Sequence, residues 1–424
     1  MVKKDPQPGD RVVVSKKLKG REEGILLESH EPGVLLLKLD TGYNIGIKKE
    51  DIKGIRVKEK AEEKKEEEKI KSVKGKPRID IIMTGGTIAS SLDPKTGGVK
   101  WLTSPEKLFE FYPEIFEIAD IKIKNPFMKS SENMNAGDWQ RIAKEAVKSL
   151  NDSTCAGVIV THGTDFLHYT ASALSFMIKD LNKPVVLTYS QRSIDRGSSD
   201  AELNLYCAAK VALSNIGEVV LVGHGSSNDD FCYVLQGNKC RKMHTSRRDT
   251  FKAINTSPIA KVSKEGIEVL RDHWKRKKRK VYLDANFEEK VALIKFYPGQ
   301  DPSIIDYYLK KKYKGLVIEM SGLGHVLTEG NNNWIGVIKK AVEKGMIICA
   351  APQTIYGSLN PMVYSPGRQL VKVGVIYLKD MLPETALVKL GYVLGKTKKK
   401  EEIKKLLLQN IAKEFNDRLG DNFC

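Results

Sequence analysis

The sequence predicts two successive α/β units preceded by a small β-barrel of the SH3 or Tudor type. Three observations carry this reading. Beyond Pro77, short apolar runs alternate with helical patterns, as expected of parallel strands covered on both faces by crossover helices. The alternation breaks at Arg271 to Lys280, RDHWKRKKRK, whose only acid is Asp272, and then resumes. The chain before Pro77 follows neither pattern: it has short β-rich runs separated by turn residues, then a charged stretch.

Within residues 1–57 the runs are RVVVS after Asp10, ILLES after Gly24, LLLKLD after Val34 and NIGIK after Tyr43, with Asp40-Thr41-Gly42 as a turn. About five strands in so short a span describe a closed or half-closed barrel, a module that binds or docks, or merely caps an edge, rather than catalyses. Residues 58–76, KEKAEEKKEEEKIKSVKGK, have only Ile70 and Val73 as sizeable apolar side chains, so they cannot bury a face and read as a linker. The first α/β unit, residues 77–275, follows with strands at Ile79, Gly157, Pro184 and Glu218 and helices near Ala136 to Leu150, Phe166 to Leu181 and Asp200 to Asn215. The second, residues 276–424, has strands near Val291, Leu316 and Met346.

Composition narrows the function classes. A 41% hydrophobic fraction with 34 Gly and 16 Pro is globular rather than disordered or collagenous. No apolar run is long enough for a membrane span, and MVKKDPQPGD has no apolar segment behind its lysines, so no secretory signal is read there. The 6 cysteines, Cys155, Cys207, Cys232, Cys240, Cys349 and Cys424, are too sparse for a disulfide framework and read as cytosolic thiols, which places the chain in the cytoplasm. Lys and Arg number 71 against 53 Asp and Glu, a net +18 that favours acidic partners, nucleic acid among them.

Ligands of a doubly wound sheet bind where loops leave the carboxyl ends of the strands, so those loops hold the candidate residues. Three are unusual: Thr84-Gly85-Gly86-Thr87-Ile88-Ala89-Ser90, Thr161-His162-Gly163-Thr164-Asp165 and Gly223-His224-Gly225-Ser226-Ser227. The first lacks the spacing of a phosphate cradle or a dinucleotide site, which argues against nucleotide binding. Its glycines allow close backbone approach, with amide hydrogens placed to stabilise an oxyanion beside Thr87, but Thr84 and Thr87 also suit helix capping, the more frequent role. In the second loop Thr164 and Asp165 present a hydroxyl and a carboxylate together, with capping by Asp165 as the alternative. His162 has no partner at metal-ligand spacing and none of the 7 histidines forms H-x-x-x-H, so no metal site is predicted. A hydroxyl nucleophile needs a base, and Lys242, in the basic stretch Cys240 to Asp249, is one candidate, although that stretch also reads as solvated surface or a phosphate-binding patch.

Taken together the loops resemble the bacterial-type L-asparaginase and glutaminase family: T-G-G-T-I-A stands at Thr84 to Ala89 and T-H-G-T-D at Thr161 to Asp165. The resemblance runs from about Arg78 to the C-terminus and implies two doubly wound α/β domains of the L-asparaginase type. It also implies Thr87 as nucleophile, Thr164, Asp165 and Lys242 as the group that completes it, backbone amides near Gly86 at the oxyanion, and Ser131 and Glu132 on the substrate's α-carboxylate and α-amino groups. The following Thr250-Phe251-Lys252-Ala253-Ile254-Asn255 places Lys242 by its similarity to the family's T-F-K-S-V-N. One departure stands out: the lid after the first motif carries a tyrosine in the family, whereas Ser91-LDPKTGGVKW has none, with Pro94 near that place and Tyr112 downstream.

A narrower resemblance, carried by Ser190 to Arg196 (SQRSIDR), His244 to Asp249 (HTSRRD) and the N-terminal barrel, is to the family of D subunits of archaeal glutamyl-tRNA(Gln) amidotransferases. It implies a glutamine amidohydrolase that supplies ammonia to a partner, the E subunit, which converts Glu-tRNA(Gln) into Gln-tRNA(Gln). It further implies a homodimer of this chain within a heterotetramer, tRNA engaged through the complex, no cofactor in this chain, and ATP and Mg used by the partner. The alternatives are a stand-alone L-asparaginase and a non-catalytic RNA-binding translation factor.

Overall fold

The computed structural model describes residues 5–18, 20–27, 29, 32–41, 43–60, 75–92, 99–101, 113–194 and 196–419. Residues 61–74 of the charged stretch 58–76, the lid position Pro94, and Tyr112 lie outside the described residues.

Alternating Val12 and Val14, both fully buried, turn one face of β1 (Arg11–Lys16) inward. Strands β2 (Arg21–Leu27), β3 (Val34–Lys38), β4 (Asn44–Lys48) and β5 (Ile52–Glu59) complete an antiparallel sheet in the order β4-β3-β2-β1-β5. Leu26, Leu35, Leu37 and Ile47 fill the concave side. Gly24 lets β2 and β3 close, since a Cβ there would lie 2.2 Å from the Lys38 carbonyl oxygen. Among the described residues the two edge strands are not paired with each other, so the barrel is half-closed.

The first α/β unit is built on five parallel strands: β6 (Arg78–Met83), β7 (Asp120–Lys124), β8 (Cys155–Thr161), β9 (Val185–Thr188) and β10 (Val219–His224). They lie in the order β7-β6-β8-β9-β10 and are extended by antiparallel β11 (Cys232–Gln236), β12 (Ala260–Val262) and β13 (Ile267–Val269). Side chains on β6 divide the two cores: Ile82 faces helices α1 (Ala136–Leu150) and α2 (Leu167–Met177), whereas Ile79 and Ile81 face α3 (Ala201–Leu213). Asn135 and Asp138 start α1 with a reciprocal capping box. The strand order reverses between β6 and β8, so their connections leave in opposite directions and a crevice opens above their carboxyl ends.

The C-terminal unit is a four-stranded parallel sheet, β14 (Val291–Lys295), β15 (Gly315–Met320), β16 (Ile347–Pro352) and β17 (Ile376–Tyr377), in sequential order. Ile305 of α4 (Ser303–Lys310), Ile338 of α5 (Ile335–Glu343) and Leu370 of α6 (Ser365–Lys372) share the core on one face. On the other face α7 (Pro383–Lys396), followed by α8 (Lys400–Leu408), packs Val388, Leu390 and Val393 into the same core as Ala171 and Leu174 of α2. One apolar core therefore crosses the joint between the two units. A buried ion pair, Lys239 Nζ to Asp380 Oδ2 at 2.8 Å, pins it.

Cys155, Cys207, Cys232, Cys240 and Cys349 are buried free thiols. Among the described residues no helix is long and apolar enough to cross a membrane.

Candidate active site

The two loops at the strand-order reversal are pressed together backbone to backbone, and glycine makes this possible. Gly85 and Gly86 have φ of 123° and 88°, a region open to glycine and costly for other residues. A Cβ on Gly86 would stand 2.5 Å from the Gly163 nitrogen, and one on Gly85 would stand 2.2 Å from the Lys129 carbonyl oxygen. Thr84 anchors the first loop to the end of β8, donating its hydroxyl to the Thr161 carbonyl at 2.8 Å. Thr87 then opens a short 3-10 turn, half-buried at the crevice, and among the described residues its hydroxyl has no hydrogen-bond partner. Neither threonine caps a helix: Thr84 is spent on Thr161, and the turn's N-cap is Gly86.

Lys242 reaches the second loop from a short ribbon in which Cys240–Lys242 pairs with Phe251–Ala253. Its Nζ donates to Thr164 Oγ1 at 2.8 Å and to Asp165 Oδ1 at 2.7 Å. The lysine side chain is only 11% exposed, while that of Asp165 is 63% exposed, so the pair spans from the protein interior to the mouth of the crevice. Asp165 does not cap α2, whose N-cap is Phe166 without a side-chain bond, because its carboxylate is engaged with Lys242. The basic stretch around Lys242 is thus not simply solvated surface.

Ser131 joins from a third loop. It is buried, its Oγ accepts from the Phe166 N–H at 3.4 Å, and a Cβ on Gly163 would lie 3.0 Å from it. Glu132, next along the same turn, is exposed and forms no hydrogen bond or ion pair with this group among the described residues. Gly86, Ser131, Thr164, Asp165 and Lys242 are therefore linked through the second loop, with Thr87 at the end of the first.

Two further residues belong to this cluster. Gln191, beyond the end of β9, accepts weakly from the Thr164 hydroxyl at 3.5 Å, and its backbone N–H is held by both carboxylate oxygens of buried Asp200 at 3.0 Å. His168 lies beneath the loop, its ring 5.0 Å from that of Tyr169 and 6.3 Å from that of Phe251. Burial pushes the His168 imidazole down to about 3, with the nearby Arg241 charge acting in the same direction. Burial likewise pushes His162 down to about 4; its Nδ1 meets the Gly163 carbonyl and its Nε2 the Thr170 hydroxyl, each at 2.8 Å. Both rings are neutral at pH 7, so His162 is a buried strut for the second loop. The third unusual loop is also structural. His224 bonds Asn204 at 2.6 Å and Asp229 at 2.9 Å, and Asp229 in turn holds Arg248 on the Lys242 ribbon's connection at 2.7 Å.

Chemically, the crevice offers a half-buried hydroxyl, a second hydroxyl in contact with an amine, a carboxylate fixing that amine, and backbone nitrogens of two tightly apposed loops. This set suits acyl transfer, with the nucleophile, proton shuttle and oxyanion donors in one place. Among the described residues no group of His, Cys, Asp or Glu side chains could hold a metal ion.

Comparison with known proteins follows the same divisions. Residues 78–275 match the asparaginase N-terminal domain, 290–407 the glutaminase/asparaginase C-terminal domain, and 6–57 the GatD N-terminal domain. The chain is 48% identical to the D subunit of the glutamyl-tRNA(Gln) amidotransferase of Thermococcus kodakarensis over 419 residues, covering 96% of this chain and 94% of that one. It is 49% identical to the D subunit of the same enzyme from Pyrococcus abyssi over 418 residues, with the same coverage of 96% and 94%. Among solved structures, the thermostable L-asparaginase of Thermococcus kodakarensis superposes with a TM-score of 0.73 at 28% identity, over 80% of this chain and 100% of the other.

Proposed function

The chain belongs to the asparaginase family, on the branch of the amidotransferase D subunits, and from that premise we propose that Thr87 is the nucleophile of its glutaminase reaction. It is the glutaminase subunit of a tRNA-dependent amidotransferase, an enzyme that takes the amide nitrogen of glutamine. The observation that carries the mechanistic reading is the contact of Lys242 Nζ with Thr164 Oγ1 and Asp165 Oδ1 beside the Gly86 and Gly163 backbones.

Glutamine lies with its α-carboxylate toward Ser131 and its α-amino group toward Glu132. Thr87 Oγ attacks the side-chain amide carbon, and backbone N–H groups near Gly86 and Thr164 receive the oxyanion. The Thr87 proton passes to the departing nitrogen, the C–N bond breaks, and ammonia leaves an acyl-threonine ester. Water then adds to the ester, and its proton passes through Thr164, whose oxygen Lys242 holds in place, toward the departing Thr87 oxygen. Breaking the ester C–O bond returns the proton to Thr87 and frees glutamate. Thr164 suits relay work because its own hydroxyl proton is held only by the long contact to Gln191, leaving it free to turn.

Ammonia that escapes is wasted, so hydrolysis is coupled to a partner, the E subunit, that binds Glu-tRNA(Gln) and uses ATP and Mg. This chain works as a homodimer within a heterotetramer in the cytoplasm. The test is glutamine hydrolysis by the complex with tRNA present. Thr87→Ala and Lys242→Ala each lose on the order of 10^3-fold or more in kcat, and wild-type rates in either would overturn the assignment. Full activity of the isolated chain, without partner or tRNA, would instead point to a stand-alone amidohydrolase.

A further inference from the structure

The basic segment at Arg271 to Lys280 is not absorbed by the catalytic reading. It crosses the opposite edge of the first sheet, beneath the amino ends of the strands. Gly217 N–H, before β10, donates to the Trp274 carbonyl at 2.6 Å; Lys277 N–H donates to the Asn182 carbonyl, before β9, at 3.2 Å; Val281 N–H donates to Asn151 Oδ1, before β8, at 2.9 Å. Gly217 permits this contact, since a Cβ there would meet the Lys275 carbonyl oxygen at 2.5 Å. The segment is therefore an ordered strap on the scaffold rather than a solvated tail.

Its charges are sorted. Arg271 points inward, donating to the Ser257 carbonyl at 2.8 Å and to Gln236 at 3.0 Å, and Arg276 donates to the Ala212 carbonyl at 2.7 Å. Arg279 is paired with Asp180 at 2.9 Å. Lys275, Lys277, Lys278 and Lys280 are exposed, and among the described residues their amines form no ion pair or hydrogen bond. Two exposed aromatic rings flank them, Trp274 at 43% and Tyr282 at 53%. Cations already accompany both rings: Lys413 Nζ lies 4.6 Å from the Trp274 ring centre and Lys280 Nζ 5.9 Å from that of Tyr282. Unneutralised lysines close together on a fixed backbone repel one another, an arrangement that a polyanion relieves by releasing its counterions. An acidic protein would satisfy the lysines alone, whereas aromatic faces beside them match a polymer that carries bases as well as phosphates.

We propose that the outward face of residues 274–282 is an RNA-binding ridge, in which Lys275, Lys277, Lys278 and Lys280 contact backbone phosphates and Trp274 and Tyr282 offer faces to bases. The ridge stands on charge, order and exposure and does not rest on the assignment of Thr87. Its test reads binding rather than hydrolysis, so the two fail separately.

The full chain is titrated against fluorescently labelled unfractionated tRNA over a salt series. Two variants are compared with it: Lys275→Gln/Lys277→Gln/Lys278→Gln/Lys280→Gln, and a charge-matched control, Lys310→Gln/Lys312→Gln/Lys344→Gln/Lys372→Gln, altered at exposed lysines of the C-terminal unit. The ridge variant weakens binding about tenfold or more at fixed salt and lowers the slope of log K against log salt by roughly 0.7 to 1 per lysine, with thermal unfolding unchanged. The control stays close to wild type. The proposal is overturned if the wild type does not bind tRNA, if both variants lose affinity equally, or if the ridge variant keeps its affinity and slope. Loss of complex assembly with tRNA affinity intact would equally overturn it, making the strap a surface for an acidic protein.

Discussion

The two α/β units are built from the same alternation of strand and helix, yet among the described residues the candidate site, with Thr164, Asp165 and Lys242 in contact, lies at the first. In the C-terminal sheet the strands lie in sequential order, β14-β15-β16-β17, so successive right-handed crossovers advance in one direction. In the first sheet the order is β7-β6-β8-β9-β10, and across the reversal at β6 and β8 the β6–β7 connection, carrying Ile115, and helix α1 lie on opposite faces. The loops bearing Thr87 and Thr164 emerge at that reversal. Strand order, rather than strand composition, decides which sheet carries the site.

The joint between the units provides the largest test of this contrast outside the proposed catalytic residues. Lys239→Met leaves Asp380 buried with its countercharge removed, and is expected to cost about 3 to 5 kcal/mol in chemical denaturation. If the units were independently stable, the loss would fall on one transition. A single transition shifted as a whole indicates that the shared apolar core couples them.

Glycine sharpens the comparison because Gly86 and Gly345 both have φ of 88°. Gly345 follows α5 in the C-terminal unit with nothing within 4 Å of a Cβ, whereas at Gly86 a Cβ would stand 2.5 Å from Gly163 N. Gly86→Ala is expected to cost about 3 kcal/mol or more and to abolish glutamine hydrolysis, because the apposed loops must separate. Gly345→Ala is expected to cost about 1 kcal/mol, the conformational term alone, with hydrolysis retained. Equal losses would mean that the close approach of the two loops is not what requires glycine.

Acid sensitivity accumulates gradually with each pH unit and should map to the first unit. His162 and His168 titrate near 4 and 3 in the folded chain, below the ordinary value of 6.5, because burial disfavours the charged ring. Between the folded and ordinary values the unfolded chain binds the proton and the folded chain does not. Stability is therefore fully present above about 6.5 and declines as pH falls toward 4, by at most about 1.4 kcal/mol per pH unit for each ring. The measurement is denaturation at stepped pH for wild type and His162→Gln; a slope unchanged by the substitution would show that His162 takes no part.

Much of the site was legible because it lies in short contiguous motifs after strands. Thr87, Thr164 and Asp165 stand where apolar runs end, and that position alone directs attention to them. Lys242 was one basic residue among several in its stretch until the resemblance placed it. The capping expectation for Thr84 and Asp165 was the statistically ordinary one, and long-range partners displaced it: Thr161 for the first and Lys242 for the second. His168 is not singled out by the sequence, and Gln191 enters only as part of the SQRSIDR stretch, because nothing local distinguishes a role for either. Gln191 matters through a contact to Thr164 and an anchor on Asp200, and His168 through burial beneath the second loop. The +18 net charge pointed to an acidic partner without saying where.

By itself the sequence determined the succession of barrel and two α/β units, the loops of the candidate site, and the family to which they belong, because periodicity and contiguous motifs are local properties of a chain. Only the tertiary structure decided which basic residues are spent inside and which face water, which hydroxyl meets which amine, and why two glycines stand between the first strand and Thr87. Those outcomes depend on which loops are brought together by the reversal of strand order, and on burial, which a residue acquires only from neighbours distant in the chain.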